Sequence, residues 1–526
     1  MTMKRMCKLL SSLLAVVFAL GMSGCGGKLK GVKGTLNIAS FEGGYGSTWA
    51  TALKDAYIAH NPEAKVVVTC NPLVRETAVT ALQTNMTDVD LFFIDGVGVG
   101  TYCENYGSLA DISELYSLSP KAGENEENTT VKDKIMPEVV SEMTYGGDWK
   151  EFENKYYTVP SPSGPCSLIL NADALDNALG KGNWREPRTT DELFALCDAI
   201  TAAQAKVTVS GVKHTVYPFI YSGEAVEYWR YLYYPWIAQY GGLETWNNMQ
   251  NVKINGEYAQ EAYRPEAKLK AFEVLERIIK RSNGYCDSSS MNNSFNQTQK
   301  YFLQGRACMY VTGDWFEMEA ENSSDYKANI KMIRTPVISE LASVIESESG
   351  VSLTDEKLCE IIGALDDGAE QLDGVSDEVF EKVRVARSYT FTLANSSVGF
   401  VPEVSVNKDM AIDFLRFMYS DEGIKIVLRE SRSYLPVVNA SQINAEGELS
   451  LFRKSVNEIM QGDTKYIYSS ARDPIHYRAG LDTYVGNEKP EVAMGKKTGA
   501  LSAREYFDKE GRLLSEKWSD YMKVVG

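Results

Sequence analysis

Short apolar runs alternate along the chain with longer segments in which apolar residues recur every three or four positions. Thr35–Ser40 and Leu91–Ile94 are runs of strand length, bounded by turn residues. Residues 265–279 instead carry apolar side chains at helical spacing, with proline at the first position. Because strands and helices alternate in this way, we expect an α/β architecture with largely parallel sheets.

One stretch departs from this alternation. Residues 339–387 are acidic and follow a helical pattern, with turn signals at Asp366-Asp367-Gly368 and Asp373-Gly374. This pattern predicts a helical subdomain that is inserted into the α/β body. Its charge indicates a solvated surface rather than a binding site.

The first residues have the pattern of a targeting segment. Three basic residues precede Leu9–Leu20, an apolar segment of twelve residues, whereas a membrane-spanning helix needs about 20. Met22-Ser23-Gly24-Cys25 resembles the lipobox of bacterial lipoproteins, in which cleavage occurs before a lipid-bearing cysteine. We therefore predict a signal peptide at 1–24, lipidation of Cys25 and a flexible Gly- and Lys-rich tether at 25–34. The alternative is an ordinary secretory signal with a chance cysteine.

The composition is that of a globular chain of 526 residues, 44% hydrophobic and 24% charged. Lys and Arg number 54 against 71 Asp and Glu, and the net charge of −17 argues against nucleic-acid binding. Beyond Cys7 and Cys25, seven cysteines remain without Cys-x-x-Cys spacing, and the chain has three histidines. We therefore expect no disulfide framework, no metal site and no cofactor.

Catalytic motifs are weak in this sequence. Gly495-Lys496 lacks the earlier glycine that a phosphate-binding P-loop requires, and no Gly-x-Ser-x-Gly elbow occurs. The glycines at 96, 98 and 100 do not match the spacing of a dinucleotide-binding loop, so we interpret them as a strand-to-helix turn. The sequence therefore predicts a protein that is not an enzyme. A carboxylate pair for glycoside hydrolysis stays open, because sequence spacing does not reveal the separation of two acids.

An aromatic cluster is the positive signal. Residues 228–240 contain seven aromatic side chains among thirteen, and Trp229, Tyr233 and Trp236 share one face of a helix. Sugars have apolar C–H faces and hydroxyl edges, and Trp and Tyr rings offer a flat apolar face with a polar edge. We therefore predict the wall of a sugar-binding cleft. The alternative is an aromatic helix in the core.

Several short motifs follow one another between residues 35 and 436. They are Glu42–Gly46, Asp90–Asp95, Lys155–Pro160, Leu168–Asp173, Gly305–Met309 leading to Gly313-Asp314-Trp315, and Val406–Met418. Together with the lipobox, they resemble the bacterial extracellular solute-binding proteins of family 1, which serve carbohydrate ABC transporters and include maltose-binding protein. Leu170 and Ala172 depart from the family's pattern, and the insertion and the tail after 440 lie outside it.

The resemblance implies a two-lobe α/β fold of the periplasmic-binding-protein type (type II), with hinge strands between the lobes and a helical insertion. Proline-containing segments at 160–165, 335–336 and 400–402 fit the expected crossings. The predicted N-terminal lobe comprises 35–162 and 337–400 with the insertion at 339–387, and the predicted C-terminal lobe comprises 163–336 and 401–526.

The resemblance also implies a ligand between the lobes and a set of contacts to it. The predicted ligand-binding residues are Glu42, Tyr45, Asp95, Ser163, Trp229, Tyr233, Trp236, Asp314, Trp315, Arg432 and Tyr434. In this set Asp95 would accept hydrogen bonds from hydroxyl groups, and Trp315 would be the stacking platform beside Asp314. Ser163 would lie at the first hinge, and the three aromatic residues of 229–236 would form the facing wall.

The function that the resemblance implies is capture of a carbohydrate, an oligosaccharide, and its delivery to the permease subunits of an ABC transporter. The expected protein is a monomer on the outer face of the bacterial cell membrane, where the lipid anchor is its only membrane contact. Two alternatives remain. A peptide- or other-solute-binding lipoprotein of an ABC importer should place Arg or Asp against the ligand's termini, and a tethered glycoside hydrolase would cleave its ligand.

Overall fold

The computed structural model describes residues 34–120, 129–143, 155–321, 323, 325–326, 329–438, 449–461, 463–469 and 473–525. The predicted signal peptide, Cys25 and the tether up to residue 33 lie outside these described residues. Within the described residues, no helix combines the length and the apolar character that crossing a membrane requires.

Fifteen strands and a larger set of helices make up the described part of the chain. The strands are β1 (Thr35–Phe41), β2 (Lys65–Asn71), β3 (Leu91–Asp95), β4 (Val159–Pro160), β5 (Pro165–Asn171), β6 (Lys206–Val209), β7 (Val212–Thr215), β8 (Tyr217–Phe219), β9 (Lys253–Ile254), β10 (Glu257–Tyr258), β11 (Ala307–Gly313), β12 (Ile330–Ile333), β13 (Tyr389–Thr392), β14 (Ser397–Phe400) and β15 (Lys465–Ile467).

The α-helices cover both sheets and the C-terminal tail. They are Thr48–His60, Val74–Thr84, Val99–Thr101, Ser113–Ser117, Val131–Lys134, Pro137–Met143, Ala172–Leu179, Thr190–Ala203, Arg230–Asn251, Gln260–Tyr263, Glu266–Ile279, Phe295–Leu303, Phe316–Ala320, Leu341–Ser349, Asp355–Asp366, Asp377–Ser388, Lys408–Met418, Asp421–Ser431, Leu451–Gln461, Pro474–Tyr477, Leu481–Tyr484, Pro490–Met494 and Ala503–Val525. A π-helix spans Tyr102–Tyr106, and 3₁₀-helices span Gly223–Trp229, Arg281–Asn283 and Ser290–Asn292.

The first sheet has five strands in the order β2-β1-β3-β14-β4. β1 pairs in parallel with β2 and β3, whereas β14 runs antiparallel to β3 with Ser397 opposite Asp95. Leu36, Ile38 and Phe93 lie in the core beneath the helix Thr48–His60. The predicted α/β architecture is therefore present, with an antiparallel addition at one edge.

The second sheet has six strands, of which five follow the order β15-β13-β5-β11-β8. β5 is buried at every position and runs antiparallel to each of its partners, β11, β12 and β13. The parallel pairs β8–β11 and β13–β15 lie outside these contacts. The prediction of largely parallel sheets is wrong for this sheet. The central strand β5 runs in the opposite direction to all three of its neighbours, so most of the pairing is antiparallel.

The chain passes between the two sheets at two closely spaced places, and it crosses a third time between Val437, which pairs with Ile135, and the helix Leu451–Gln461. β4 ends at Pro160 and β5 begins at Pro165, while β13 ends at Thr392 and β14 begins at Ser397. The Ser161 N–H donates to the Ser397 carbonyl over 3.0 Å, and the two hydroxyl groups lie 2.9 Å apart. The two crossings therefore form one hydrogen-bonded hinge.

The hinge position corrects the predicted lobe boundaries. The segment 160–165 is a crossing as expected, but Val337 pairs with Thr189 in the second lobe, and Pro402 pairs with Leu109 in the first. Of the described residues, those within 34–160 and 397–438 therefore form the first lobe, and those within 165–392 and from 449 onward form the second.

The helices of the predicted insertion form, but they belong to the second lobe. Leu341–Ser349 and Asp377–Ser388 pack against the helix Arg230–Asn251, and all three insertion helices join its apolar core. Conversely, Lys408–Met418 and Asp421–Ser431 pack on Thr48–His60 of the first lobe. The predicted assignment failed because it took the chain to cross at 335–336 and 400–402.

The contact between Tyr57 and Asp413 tests this packing of the first lobe. The Tyr57 hydroxyl donates to the buried Asp413 carboxylate over 2.9 Å, and its ring meets Phe414 edge-on at 5.2 Å. We expect Tyr57→Phe to lower the free energy of unfolding by about 1–3 kcal/mol, because a buried carboxylate loses one donor. Chemical denaturation measures the change. Tyr106→Phe, at an exposed position, is the control, and equal losses in the two variants would contradict the packing role.

Candidate ligand-binding site

A cavity of about 670 Å³ lies between the two lobes. The first lobe contributes the loop after β1 and the turn after β3. The second lobe contributes Trp315 and six residues around the start of the helix Arg230–Asn251, which are Glu224, Ala225, Glu227, Tyr228, Arg230 and Tyr231. The hinge segments at 161–162 and 393–397 form its floor. Its volume falls in the range of ligand pockets, and its position allows both lobes to contact one bound molecule.

Asp314 holds the hinge side of the site together. Its carboxylate is fully buried and accepts hydrogen bonds from the Tyr45 hydroxyl at 3.1 Å and the Gly164 N–H at 3.2 Å. The other oxygen accepts from the Ser433 hydroxyl at 2.5 Å and the Tyr434 N–H at 3.2 Å. Burial raises the pKa of the Asp314 carboxyl, and the hydrogen bonds and the nearby Arg453 guanidinium oppose that shift. Asp314 therefore connects the segments at the hinge through hydrogen bonds and does not line the cavity.

Trp315 is the centre of an aromatic box at the cavity. Its ring meets Tyr45 edge-on at 5.9 Å, Tyr228 at 5.9 Å and Tyr231 at 6.2 Å. All four residues line the cavity, although Trp315 is 6% and Tyr231 1% exposed. Tyr45 comes from the first lobe, and the other three belong to the second. Edge-to-face contacts of this kind fix the orientation of each ring.

Two glycines make room for the Trp315 ring. A Cβ atom on Gly44 would lie 2.4 Å from Trp315 Cγ, and one on Gly313 would lie 2.0 Å from Trp315 Cζ3. Both distances are shorter than any van der Waals contact, so the close approach requires glycine at each position. The loop after β1 and the end of β11 therefore fit around the indole.

The charged residues of the first lobe are paired. The Asp95 carboxylate accepts two hydrogen bonds from the Arg75 guanidinium, which also lies 3.8 Å over the Phe41 ring. Asp95 and Arg75 both line the cavity. Glu42 is exposed, accepts from the Ser47 hydroxyl at 3.2 Å, and does not line the cavity.

The Glu319 carboxyl group of the second lobe has a raised pKa. It lines the cavity and accepts a hydrogen bond from the side-chain amide of Gln299. Burial raises the pKa of Glu319 to about 8. At neutral pH the group is therefore mostly protonated and can donate a hydrogen bond to a ligand.

The predicted wall of Trp229, Tyr233 and Trp236 is wrong. All three side chains are buried in the core of the second lobe, and none lines the cavity. Trp236 Nε1 donates to the Pro336 carbonyl over 3.0 Å. The helix turns the opposite face of the cluster toward the cleft, so that Tyr228, Arg230 and Tyr231 line the cavity instead.

Sequence reasoning missed Arg230 among these residues. A helical pattern identifies residues that share a face, but it does not say which face is buried when both carry aromatic rings. The available signal was that Arg230 is the single cation in the segment 228–240. A cation is rarely fully buried, so it marks the side that faces the solvent or the cleft.

The remaining predicted residues lie at the hinge. The Ser163 N–H donates to the Tyr434 carbonyl over 2.7 Å, and the Ser163 hydroxyl lies 3.5 Å from that of Thr392. Arg432 forms an ion pair with Glu321 at 2.6 Å. Ser163, Arg432 and Tyr434 do not line the cavity, so the structure brings together Tyr45, Asp95 and Trp315 but not these three.

Besides the Arg432–Glu321 pair, the ion pair between Arg478 and Glu104 joins the two lobes. Arg478 Nε donates to both carboxylate oxygens of Glu104, at 2.7 and 2.8 Å. Glu104 lies in the π-helix Tyr102–Tyr106 of the first lobe, and Arg478 follows the helix Pro474–Tyr477 of the second. Across the described residues, no group of three or more His, Cys, Asp and Glu side chains is arranged to hold a metal ion.

The sequence matches the model of one protein family. Residues 52–448 match the family described as bacterial extracellular solute-binding protein, and the chain belongs to that family. The family consists of extracellular binding proteins, and its two-lobe α/β fold confirms the fold that the motifs predicted. Comparison with the curated proteins gives no match.

Solved structures share the fold at low sequence identity. An ABC substrate-binding protein from Listeria monocytogenes in complex with cycloalternan is 14% identical, with a TM-score of 0.58 over 93% of this chain and 99% of that chain. The GacH receptor of Streptomyces glaucescens, solved unliganded and with acarbose, is 15% identical, with a TM-score of 0.56 over 94% of this chain and 100% of that chain. A protein from a study of xylan utilisation by Caldanaerobius polysaccharolyticus is 16% identical, with a TM-score of 0.57 over 91% of this chain and 99% of that chain.

The raised pKa of Glu319 predicts a pH-dependent stability. The folded protein holds this proton up to about pH 8, whereas the unfolded chain releases it near the ordinary value of 4.5. The free energy of unfolding therefore falls as pH rises through this window. Glu319→Gln removes that loss, so its stability relative to wild type should increase by a few kcal/mol between pH 5 and pH 9.

Urea denaturation at the two pH values measures this difference. Glu63→Gln, at an exposed position, controls for the loss of a surface carboxyl. A difference between Glu319→Gln and wild type that is the same at both pH values would show that Glu319 titrates normally.

Proposed function

We propose that this protein captures a carbohydrate, a short oligosaccharide, between its two lobes and delivers it to the permease of an ABC importer. The observation that carries the proposal is the aromatic box of Trp315, Tyr45, Tyr228 and Tyr231, which lines a cavity between the lobes. Flat rings stack on the C–H faces of sugars, and the phenol hydroxyl groups hydrogen-bond to sugar hydroxyls.

The polar groups around the box support the same ligand class. The Glu319 carboxyl, the Asp95 carboxylate, and Ser396 and Ser397 at the hinge supply donors and acceptors for hydroxyl groups. Proteins with the same fold were solved with cycloalternan and with acarbose, and another is described as a chitin oligosaccharide binding protein. A cavity of about 670 Å³ suits a ligand of a few sugar rings.

Capture requires no chemistry on the ligand. A ligand that contacts both lobes stabilises the closed arrangement over an open one, in which it contacts a single lobe. The Tyr45–Asp314 hydrogen bond and the Arg478–Glu104 ion pair connect the lobes and favour closure. The closed shape is the form that a permease can recognise.

We place the protein on the outer face of the cell membrane, as a monomer that is held by a lipid on Cys25. The family is extracellular, and the lipobox at residues 22–25 supplies the anchor. In this proposal the Gly- and Lys-rich segment that follows connects the lipid-bearing cysteine to the first lobe. Lipid chains together with basic charge hold a protein at anionic membranes.

Trp315→Ala tests the aromatic box. A ligand is first found by thermal-shift screening of mono- and oligosaccharides, since a ligand at 100 times its Kd stabilises by about 2.7 kcal/mol. We expect Trp315→Ala to weaken binding of that sugar by about 1–4 kcal/mol in a calorimetric titration, because the stacking surface is lost.

Trp236→Ala is the matched control. Its indole is buried away from the cavity, so it should lose about 3–5 kcal/mol of stability while the folded fraction keeps its affinity. An unchanged Kd in Trp315→Ala would contradict the role of the box. Binding of peptides in place of sugars would overturn the proposed ligand class, and cleaved sugar on chromatography would indicate a hydrolase.

Cys25→Ala tests the anchor. The variant should leave the membrane fraction of bacterial cells, or stay as an uncleaved precursor, because no cysteine remains to carry lipid. Its sugar affinity should match wild type, since the cavity is built from residues 40–469. Equal amounts of mature wild type and variant in the membrane fraction would remove the lipoprotein assignment.

A further inference from the structure

Arg230 is a cation in the cavity without a counter-charge. It lines the cavity at the start of the helix Arg230–Asn251, and it forms no ion pair with any described residue. Its Nε atom is buried and has no hydrogen-bond partner in the described part of the chain. The side chain as a whole is only partly buried, and it also interacts with the Tyr231 side chain. The guanidinium therefore lines the cavity with no carboxylate paired to it, and a ligand that fills the cavity would remove it from water.

Most other charges of the cavity are paired or protonated, and Glu224 is the exception. Asp95 is neutralised by Arg75, and the Glu227 carboxylate pairs with Lys489 at 2.9 Å. Glu319 is mostly protonated at neutral pH. Glu224 lies at the exposed rim, where one of its oxygens accepts from the Phe295 N–H at 2.8 Å.

Two aromatic rings lie near the Arg230 guanidinium. It lies 5.7 Å from the centre of the Tyr231 ring and 6.0 Å from that of Phe391. Such rings stabilise a cation weakly and exclude water, which strengthens any charge interaction made there. Glu491 is buried behind the cavity wall rather than in it, and burial raises the pKa of its carboxyl to about 7. This carboxyl therefore compensates Arg230 only in part.

We propose that the ligand is an acidic saccharide whose carboxylate pairs with Arg230. The inference rests on the proposed function and narrows it to sugars with a uronic-acid unit. A guanidinium fork matches a carboxylate with two parallel hydrogen bonds, a geometry that a single hydroxyl group does not offer. The ring of the same sugar unit would contact Tyr231 and Trp315, which meet edge-on beside Arg230.

The specificity would follow from the unpaired state of Arg230. A neutral sugar that fills the cavity leaves the guanidinium desolvated and without an anion, whereas a uronic acid supplies one. Binding energy would therefore depend on charge as well as on shape. Discrimination against neutral analogues arises from that unsatisfied cation rather than from a steric clash.

The test compares trigalacturonate with its methyl ester, which has the same rings without the charges. Calorimetric titration of wild type should give at least about tenfold tighter binding for the acid, and the difference should shrink as salt is added. Arg230→Gln should abolish this preference, and Arg230→Lys should keep part of it. Arg185→Gln, an exposed arginine of the second lobe that pairs with Glu192, controls for the change in net charge.

The outcomes separate this inference from the proposed function. Tight binding of neutral oligosaccharides without binding of the acid would overturn the acidic ligand and leave carbohydrate capture intact. Equal weakening of acid and ester by Arg230→Gln would also overturn it. Binding of a peptide carboxylate in the absence of any saccharide would overturn both. The comparison of acid and ester on wild type decides the question even where an Arg230 variant fails to fold.

Discussion

The buried Asp314 carboxylate is the interaction on which the two-lobe arrangement depends. It lies in the second lobe where β11 ends, and its two oxygens accept hydrogen bonds from Tyr45, Ser433 and Tyr434 of the first lobe and from Gly164 of the hinge. A buried carboxylate must have its lone pairs satisfied, so these segments cannot separate freely from one another. The hinge, the position of the loop after β1 and the orientation of the neighbouring Trp315 follow from this constraint.

The cavity combines tightly packed aromatic rings with polar groups that come from two different lobes. The edge-to-face rings and the close approaches of Gly44 and Gly313 to Trp315 leave the indole a single position. Around this rigid centre, groups from different lobes meet, so that a ligand which contacts both changes the balance between open and closed arrangements. Rigid rings with movable lobes allow selective binding and release in the same site.

Charge in the cavity is distributed unevenly. Pairing by Arg75 and Lys489 neutralises Asp95 and Glu227, and burial keeps the Glu319 carboxyl protonated over much of the neutral range. Among the described residues of the cavity, these effects leave Arg230 as the cation without an ion-pair partner, and Glu224 at the exposed rim as the carboxylate without one. The net charge of −17 gives no indication of this, because local pairing rather than composition decides what a ligand encounters.

Local sequence determined the elements and the family. The runs at Thr35–Ser40 and Leu91–Ile94 became β1 and β3, and the order of the motifs identified the family and its fold. Such signals lie within a few neighbouring residues, where spacing alone is informative.

Tertiary structure decided how the strands pair and which helix face meets the cleft. Four residues separate β13 from β14, yet the two strands join different sheets, because β13 pairs with β5 and β14 with β3, each more than 200 residues earlier in the chain. The face of residues 228–240 that meets the cleft was likewise set by packing against distant elements, since aromatic rings on both faces gave the helix no preference of its own.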